Sequence, residues 1–308
     1  MNINNKPTII FLHGIMGSVL TKNGVKVWPK VNPRIVDHYK NALTPISDDD
    51  GVEAYSSLAT YKIFINELKL QGYTVVDRIY DWRKNNIDHL SELKSDIDNA
   101  PSDVVIIAHS MGGIIARLAL NKYAQDDSIK KVKKLITLGT PWKGSMSAIR
   151  FLKYGAKVPD LPLVTLIDAK SSKEISPYFP SIYQLLPNQL YFDYLKENKI
   201  LPCNFNGDYY YEVLKLFEDN FKKDFESHHK FIEVFEEFST LLNKDMPAEV
   251  EHHELIGVGI PTITVISEKS NGEPYALWDD GDGTVPVISS YSKTENKNYF
   301  PYFLERKA

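Results

Sequence analysis

A serine between a short apolar run and a helix-forming stretch has the setting of a catalytic nucleophile. Ser110 follows the uncharged residues 104–108 and His109, and it precedes the sequence MGGIIARLALNKYA. This order predicts a strand, a sharp turn and a helix, with the serine hydroxyl exposed beside the free amides of the helix N-terminus. A hydroxyl in that position can attack an acyl carbonyl and form an acyl-enzyme. The alternative is a serine that merely caps a buried helix.

Acyl transfer also needs hydrogen-bond donors for the oxyanion of the tetrahedral intermediate. Backbone amides usually supply them, and each is worth about 2.7–4 kcal/mol in kcat. The amide of Met111, directly after the serine, is the first candidate. The second is the amide of Ile15, in the glycine-containing loop HGIMGS that follows the first predicted strand. Glycines let the backbone of such a loop approach a substrate oxygen closely.

A carboxylate that orients the catalytic base is predicted late in the chain. Asp282 lies between two glycines in WDDGDGTVP, after a predicted strand at residues 262–266. When a serine nucleophile sits on a strand–turn–helix elbow, the acid follows it in the chain and precedes the histidine. We therefore select Asp282 as the acid. The alternatives are a solvated turn or a calcium loop formed with Asp279 and Asp280.

The intervening sequence predicts a sheet with crossover helices and an inserted cap. Helical patterns alternate with short apolar runs, which favours an α/β fold with a mostly parallel sheet. The predicted strands cover residues 8–12, 73–79, 104–108, 134–138, 262–266 and 299–304. The predicted helices cover residues 56–71, 87–99, 114–125 and 286–291. We assign residues 1–144 and 258–308 to the core and 145–257 to a helical cap.

Phenylalanines recur at helical spacing inside this cap, between residues 211 and 242. Two interpretations remain open, and they are compatible with each other. The stripes can form a buried face that packs on the sheet, or a lid that offers apolar surface to a lipid or acyl chain.

Composition excludes several classes of partner and site. The 308 residues are 43% hydrophobic, with 36 Lys and Arg against 40 Asp and Glu and a formal net charge of −4. This weak, mixed charge excludes nucleic acid as a partner. The single cysteine, Cys203, excludes an internal disulfide and a cysteine-based zinc site. We expect neither a metal ion nor an organic cofactor.

The sequence gives no sign of export or membrane insertion. The segment MNINNKPTIIFLHG lacks a cationic region followed by a long apolar stretch, so no signal peptide is predicted. No apolar run approaches the roughly 20 residues that cross a bilayer. The expectation is a cytoplasmic protein, with a peripheral contact between the cap and a lipid surface as a further expectation.

Six motifs together resemble one family of lipid enzymes. In chain order they are FLHGIMGS, IYDWR, IIAHSMGG, TLGTPWKGS, SIYQLLP and GDGTVP. They resemble the lecithin:cholesterol acyltransferase and lysosomal phospholipase A2 group of α/β-hydrolases, and with one cysteine the chain is similar to its bacterial-type members without disulfides. The resemblance implies an α/β-hydrolase fold and an acyl-enzyme formed from a lipid ester, whose acyl group passes to water or an alcohol.

Residue roles follow from the same resemblance. It implies that Ser110 is the nucleophile, Asp282 the triad acid, and Ile15 and Met111 the oxyanion positions. Trp28 resembles the aromatic residue of an early loop near the acyl site, which implies substrate binding, although a core or surface role is equally open. Other functions also remain open: a carboxylesterase or thioesterase acting on small esters, or an inactive relative that binds lipid or a partner.

The general base is the missing component. In this fold the catalytic histidine follows the acid, but all eight histidines precede Asp282: His13, His38, His89, His109, His228, His229, His252 and His253. Three hypotheses account for this. The chain is a fragment or shortened product whose full form carries the histidine, or it uses another base, or it is a non-catalytic lipid-binding relative. Retention of the serine, the acid and both glycine loops favours the first.

Overall fold

A parallel sheet forms the centre of the molecule. The computed structural model describes residues 6–29, 42–44, 50–156, 158–161, 164–198, 200, 235–268, 274–292 and 297–305. Its strands are β1 (Thr8–Leu12), β2 (Ser18–Lys22), β3 (Val25–Trp28), β4 (Val52–Ser57), β5 (Val75–Arg78), β6 (Val104–His109), β7 (Val132–Leu138), β8 (Val158–Leu161), β9 (Val164–Ile167), β10 (Glu251–Val258), β11 (Thr262–Glu268), β12 (Pro274–Asp279) and β13 (Tyr299–Glu305). Six of them form the sheet in the order β5-β1-β6-β7-β10-β13, and every pairing is parallel.

Helices connect these strands, and smaller sheets lie outside the main one. The helices are α1 (Ala59–Leu70), α2 (Leu90–Asn99), α3 (Met111–Lys122), α4 (Met146–Ile149), α5 (Ala169–Ile175), α6 (Pro180–Tyr183), α7 (Gln189–Glu197), α8 (residues 235–243) and α9 (Val287–Ser290). Strands β3, β2 and β4 form an antiparallel sheet, and β8–β9 and β11–β12 form hairpins. The four predicted helices correspond to α1, α2, α3 and α9.

Both faces of the sheet are covered, which explains why its central strands are apolar at successive positions. Ile10 and Leu12 of β1 point to one face and join a large buried cluster with α2 and α3. Ile9 and Phe11 point to the other face and pack with Ile65 of α1. The helix α3 is buried on nearly every side, since it lies between the sheet and the cap.

The chain changes direction across the sheet at β1. It runs first from β1 to the edge strand β5 and then crosses back to β6 on the other side of β1. Ligands of open α/β sheets bind beyond the carboxyl ends of the strands at such a switch point. Leu12 pairs with Ala108 there, so the loop after β1 and the turn after β6 are neighbours.

A buried ion-pair cluster supports the loops beside this edge. The guanidinium of Arg83 is fully buried and donates to the carboxylates of Asp81 and Asp50, at 2.6 and 2.9 Å from Nη2. It also donates to the carbonyl of Leu43 at 3.0 Å. A buried charge is tolerated only when its hydrogen bonds are satisfied, as they are here. The motif YDWR therefore ties three chain segments together.

The structure differs from the sequence analysis in two assignments, one of a strand to a sheet and one of a segment to the cap. The strand predicted at 262–266 exists as β11, but it pairs with β12 in a hairpin and is not part of the main sheet. The main-sheet strand between β7 and β13 is β10, whose residues 251–257 the sequence analysis assigns to the cap. The strand β10 was not predicted because two of its buried residues are polar. Glu254 accepts hydrogen bonds from Trp142 and Tyr299, and His252 is hydrogen-bonded to Thr137.

The described part of the insertion contains α4 to α8 and the hairpin β8–β9. Phe235, Phe238 and Leu242 of α8 are buried in the main cluster, which favours the buried-face interpretation for this part of the stripe. The stripe residues between 211 and 234 lie outside the described residues.

The parallel sheet, its crossover helices and this insertion constitute an α/β-hydrolase fold.

Candidate active site

Ser110 occupies a strained turn between β6 and α3. Its φ of 52° and ψ of −124° place a residue with a Cβ atom in a region that side chains other than glycine rarely adopt. Its amide donates to the carbonyl of Leu138 at 2.8 Å, and its carbonyl accepts from Gly113 at 3.0 Å. The hydroxyl makes no capping hydrogen bond to α3. The helix-cap interpretation therefore explains the position of Ser110 but gives its hydroxyl no role.

Close backbone approach requires glycine around this turn. A Cβ atom on Gly112 would lie 2.5 Å from the carbonyl oxygen of His13, and one on Gly113 would lie 2.1 Å from Oγ1 of Thr140. A Cβ atom on Gly14 would lie 2.9 Å from the Cβ atom of Ser110. The loop after β1 and the turn after β6 are thus in direct contact.

The two predicted oxyanion positions lie on these two segments. Met111 is the first residue of α3, so its amide has no acceptor within the helix. Ile15 lies in a tight turn that is closed by the bond from the Gly17 amide to the Gly14 carbonyl at 3.0 Å. The structure therefore brings both segments to the same end of the sheet.

Two tyrosines contact the loop after β1. Tyr80 donates its hydroxyl proton to the His13 carbonyl, and its ring stacks on the His13 imidazole with centroids 4.0 Å apart. Burial lowers the pKa of His13 to about 3, so this imidazole is neutral at physiological pH. Tyr61 of α1 accepts from the Gly14 amide at 3.4 Å.

Asp282 lies in the loop after β12, with its carboxylate close to Gly139 after β7 and its Cα and Cβ atoms close to Gly257 of β10. Its Oδ1 atom accepts from the amides of Thr284 and Val285, at 2.8 and 2.7 Å. A Cβ atom on Gly139, at the end of β7, would lie 2.9 Å from its Oδ2 atom. One carboxylate oxygen is thus held by the backbone, and the other faces the strand next to β6.

The motif TLGTPWKGS fixes the acid loop, a role that the sequence analysis did not assign. Ser145 and Ser147 both donate to the carbonyl of Thr284, at 2.9 and 3.2 Å. Lys143 donates to the carbonyls of Ile288 and Tyr291, at 2.9 and 2.6 Å. These partners are about 140 residues apart in the chain, so spacing gave no signal for the contacts.

Ser110 lies on the wall of a cavity of about 470 Å³. The loop after β1, the acid loop and the insertion share this wall with it, and most of the side chains are apolar. Arg150 is the one charged side chain among the described lining residues, which are Ile15, Met16, Ser110, Pro141, Ser145, Ser147, Ala148, Arg150, Phe151, Ala156, Ile182, Leu185, Gly283, Thr284 and Val285. Such a cavity suits an acyl chain better than a polar molecule.

Trp28 lies behind the loop after β1 and is not among the described residues that line the cavity. Its side chain is buried, its indole N–H donates to the Met16 carbonyl at 3.1 Å, and its ring packs edge-on against Trp82. This geometry corresponds to the core role that the sequence left open. A direct role in substrate binding stays a prediction.

The described histidines make no hydrogen bond to the serine hydroxyl. His109 is hydrogen-bonded to Tyr61 at 2.8 Å. His252 and His253 lie within β10 on opposite faces of the sheet, where His252 contacts Thr137 and His253 stacks on Phe300. None of the five described histidines is therefore hydrogen-bonded to Ser110 as a general base would be.

Within the described ranges, no three His, Cys, Asp or Glu side chains lie close enough together to hold a metal ion, the Asp279–Asp282 segment included. None of the described helices combines the length and apolar character needed to span a bilayer.

Comparisons with known proteins find similarity to the same family that the motifs resemble. The family model "Lecithin:cholesterol acyltransferase" matches residues 51–255. The human "Lysosomal phospholipase A and acyltransferase" is 26% identical over 253 residues, which are 76% of this chain and 58% of that protein. The chicken (Gallus gallus) "Phosphatidylcholine-sterol acyltransferase" is 24% identical over 275 residues, 85% of this chain and 63% of that protein. The chain thus spans little more than half the length of these relatives.

A solved structure with lower sequence identity has a similar fold. The structure titled "The crystal structure of Tle4-Tli4 complex" has a TM-score of 0.56 and 13% sequence identity, and the alignment covers 92% of this chain and 88% of that one. At this identity the likeness concerns the fold alone. The family match covers about two thirds of the sequence and includes the elbow and most of the motifs. The chain belongs to the lecithin:cholesterol acyltransferase family.

Proposed function

We propose that this protein is a serine lipid acylhydrolase or O-acyltransferase that works through an acyl-enzyme at Ser110. The observation that carries the proposal is the strained elbow, whose hydroxyl is not used for capping and lies on the wall of an apolar cavity. A nucleophile needs this exposure, and a structural serine does not need the backbone strain. Two relatives with phospholipase or acyltransferase names support a lipid ester as the substrate.

The proposed mechanism has a candidate group for every role except that of the general base. The Ser110 oxygen attacks the ester carbonyl, its proton passes to a base, and the alcohol part leaves with a proton returned by that base. The amides of Ile15 and Met111 stabilise the oxyanion. Water or an alcohol then attacks the acyl-enzyme to release the acid or a new ester. Arg150 is exposed and has no ion-pair partner among the described residues, so it is available to a phosphate on the substrate.

The role proposed for Asp282 is to hold the imidazole that serves as the base. Its Oδ1 atom already accepts hydrogen bonds from two backbone amides, while Oδ2 has no hydrogen bond to a described residue. An imidazole between Oδ2 and Ser110 would donate one N–H to the carboxylate and accept the serine proton at its other nitrogen. In this fold the imidazole belongs to a histidine that follows the acid in the chain.

Labelling tests the nucleophile and separates the alternatives. A fluorophosphonate probe is expected to modify the protein at Ser110, as mapped by peptide mass spectrometry. The untreated protein should release fatty acid from phospholipid vesicles, or transfer it to an added alcohol, and labelling should abolish this activity. Turnover of short p-nitrophenyl esters without any activity on vesicles would favour the esterase alternative. Absence of labelling would favour the inactive lipid-binding alternative.

Added imidazole tests the role of the base. If no tethered histidine reaches Ser110, free imidazole is expected to accelerate labelling in proportion to its neutral concentration, and therefore more at pH 8 than at pH 6. We expect about tenfold or more, the lower part of the range for general-base catalysis. Asp282→Asn should weaken the effect, because an amide no longer stabilises the imidazolium. A rate independent of imidazole would show that the base is already in place or that none can enter.

A further inference from the structure

The two oxyanion donors belong to separate segments, so something must fix the distance between them. The Ile15 amide lies in the loop after β1, and the Met111 amide begins α3. Stabilisation by such donors depends on their preorganised placement, and small displacements of a donor reduce the rate strongly. A side chain bound to both segments would hold this distance.

Tyr61 makes hydrogen bonds to both segments. Its hydroxyl accepts from the Gly14 amide at 3.4 Å, one residue before Ile15. The same hydroxyl is 2.8 Å from Nδ1 of His109, one residue before Ser110. No other side chain in the described part of the chain hydrogen-bonds to both residues 13–17 and 109–111.

The bonding capacity of the phenol fits this bridge. A hydroxyl has one proton and two lone pairs, so Tyr61 can accept from Gly14 and donate to a neutral His109. Burial lowers the pKa of His109 and raises the pKa of Tyr61, so both groups are neutral at physiological pH. Assigning the proton to Tyr61 follows from this network and makes Nδ1 of His109 the acceptor.

Packing limits the movement of this tyrosine. Its ring contacts Phe11 and His109, with centroids 5.4 and 5.7 Å apart, and it rises from the first turn of α1. Gly14 also lies against the elbow, since a Cβ atom there would be 2.9 Å from Nδ1 of His109. The hydroxyl therefore closes a compact link between loop and elbow.

We infer that Tyr61 is a positioning residue that sets the distance between the two oxyanion amides through its hydrogen bonds to Gly14 and His109. The inference rests on the proposed function for its catalytic consequence. The link itself is a structural property of the loop and can be measured without any reaction. It also assigns a use to His109, which the proposed mechanism leaves without one.

Tyr61→Phe tests the inference, because it removes only the hydroxyl and keeps the ring contacts. We expect the maximal rate of fluorophosphonate labelling to fall about ten- to a hundredfold, with little change in the probe concentration at half-maximal rate. Tyr55→Phe is the matched control, since the Tyr55 side chain is 72% exposed on β4 and makes no hydrogen bond to a described residue. Its labelling rate should equal that of the wild type.

Amide hydrogen exchange in a Ser110→Ala background provides a second readout that needs no reaction. Tyr61→Phe should speed exchange across residues 13–17, and Tyr55→Phe should not. Unchanged exchange in a folded Tyr61→Phe protein would overturn the inference, and so would faster exchange with an unchanged labelling rate. If the wild type does not label but exchange rises, the proposed function fails and the positioning role stands.

Variants at the other end of the link cover the case in which Tyr61→Phe unfolds. His109→Asn keeps a polar atom near the position of Nδ1, whereas His109→Leu does not. The inference predicts slower exchange across residues 13–17 in His109→Asn than in His109→Leu. Equal exchange in these two variants would overturn it.

Discussion

Ser110→Ala is expected to reduce acyl-enzyme formation by at least about a thousandfold, the largest effect of any single substitution in this chain. Removal of a serine nucleophile leaves only what binding and the oxyanion donors contribute. Fluorophosphonate labelling and fatty-acid release from phospholipid vesicles measure the loss. The thermal midpoint should change little, because the hydroxyl makes no hydrogen bond to the helix that it precedes.

Ser95→Ala is the matched control for this variant. It removes a serine hydroxyl from the exposed side of α2, away from the cavity. Labelling and lipid hydrolysis should match the wild type. If Ser110→Ala kept the wild-type rate of lipid hydrolysis, another residue would be the nucleophile and the elbow would have only a structural role.

Acidification from pH 7 to pH 5 should produce the second largest effect, a loss of folding stability. Burial lowers the pKa of His13 and His252 to about 3 and that of His89 to about 4. These imidazoles stay neutral in the folded state, while the unfolded chain binds protons below its ordinary histidine pKa of about 6.5. The unfolded state then holds more protons, so stability falls as the pH decreases. Each histidine contributes about 2 kcal/mol to the loss at pH 5.

Denaturant unfolding at pH 8, 7, 6 and 5 measures this loss. His89→Gln should reduce the difference between pH 7 and pH 5 by about 2 kcal/mol, because it removes one titrating imidazole. The glutamine amide can still donate to the Asp81 carbonyl, which lies 3.0 Å from Nε2 of His89. At pH 8 the histidines are neutral in both the folded and the unfolded state. The difference in unfolding free energy between the variant and the wild type at this pH therefore measures only the change in packing. A wild-type stability that stays constant down to pH 5 would contradict the neutral, buried state of these imidazoles.

The elbow could be predicted from sequence because its signals are local. A strand, a serine and two glycines follow one another within ten residues, and each reports a requirement of the same turn. The order of motifs along the chain then indicated Asp282 as a candidate acid, which stays a prediction. Structure adds what these signals could not give, namely that Ser110 and the residues after Asp282 share one cavity wall.

Long-range polar contacts were beyond sequence reasoning. Tyr61 is one aromatic residue in an amphipathic helix, and Ser145 is one serine in a loop, so residue type and spacing gave neither a role. The strand β10 was missed for a related reason. Its inward-facing His252 and Glu254 look solvated in the sequence, and only their partners from β7, the TLGTPWKGS loop and β13 show that they are buried.

The misassigned hairpin β11–β12 has a mechanical consequence. Ile263 and Val265 of β11 share an apolar cluster with Met146 of α4 and with Tyr191 and Leu195 of α7. The same hairpin leads directly into the loop that carries Asp282. A displacement of α7 would therefore either break this cluster or move the loop that carries Asp282. By this connection, any movement of the insertion and the position of Asp282 would be mechanically coupled.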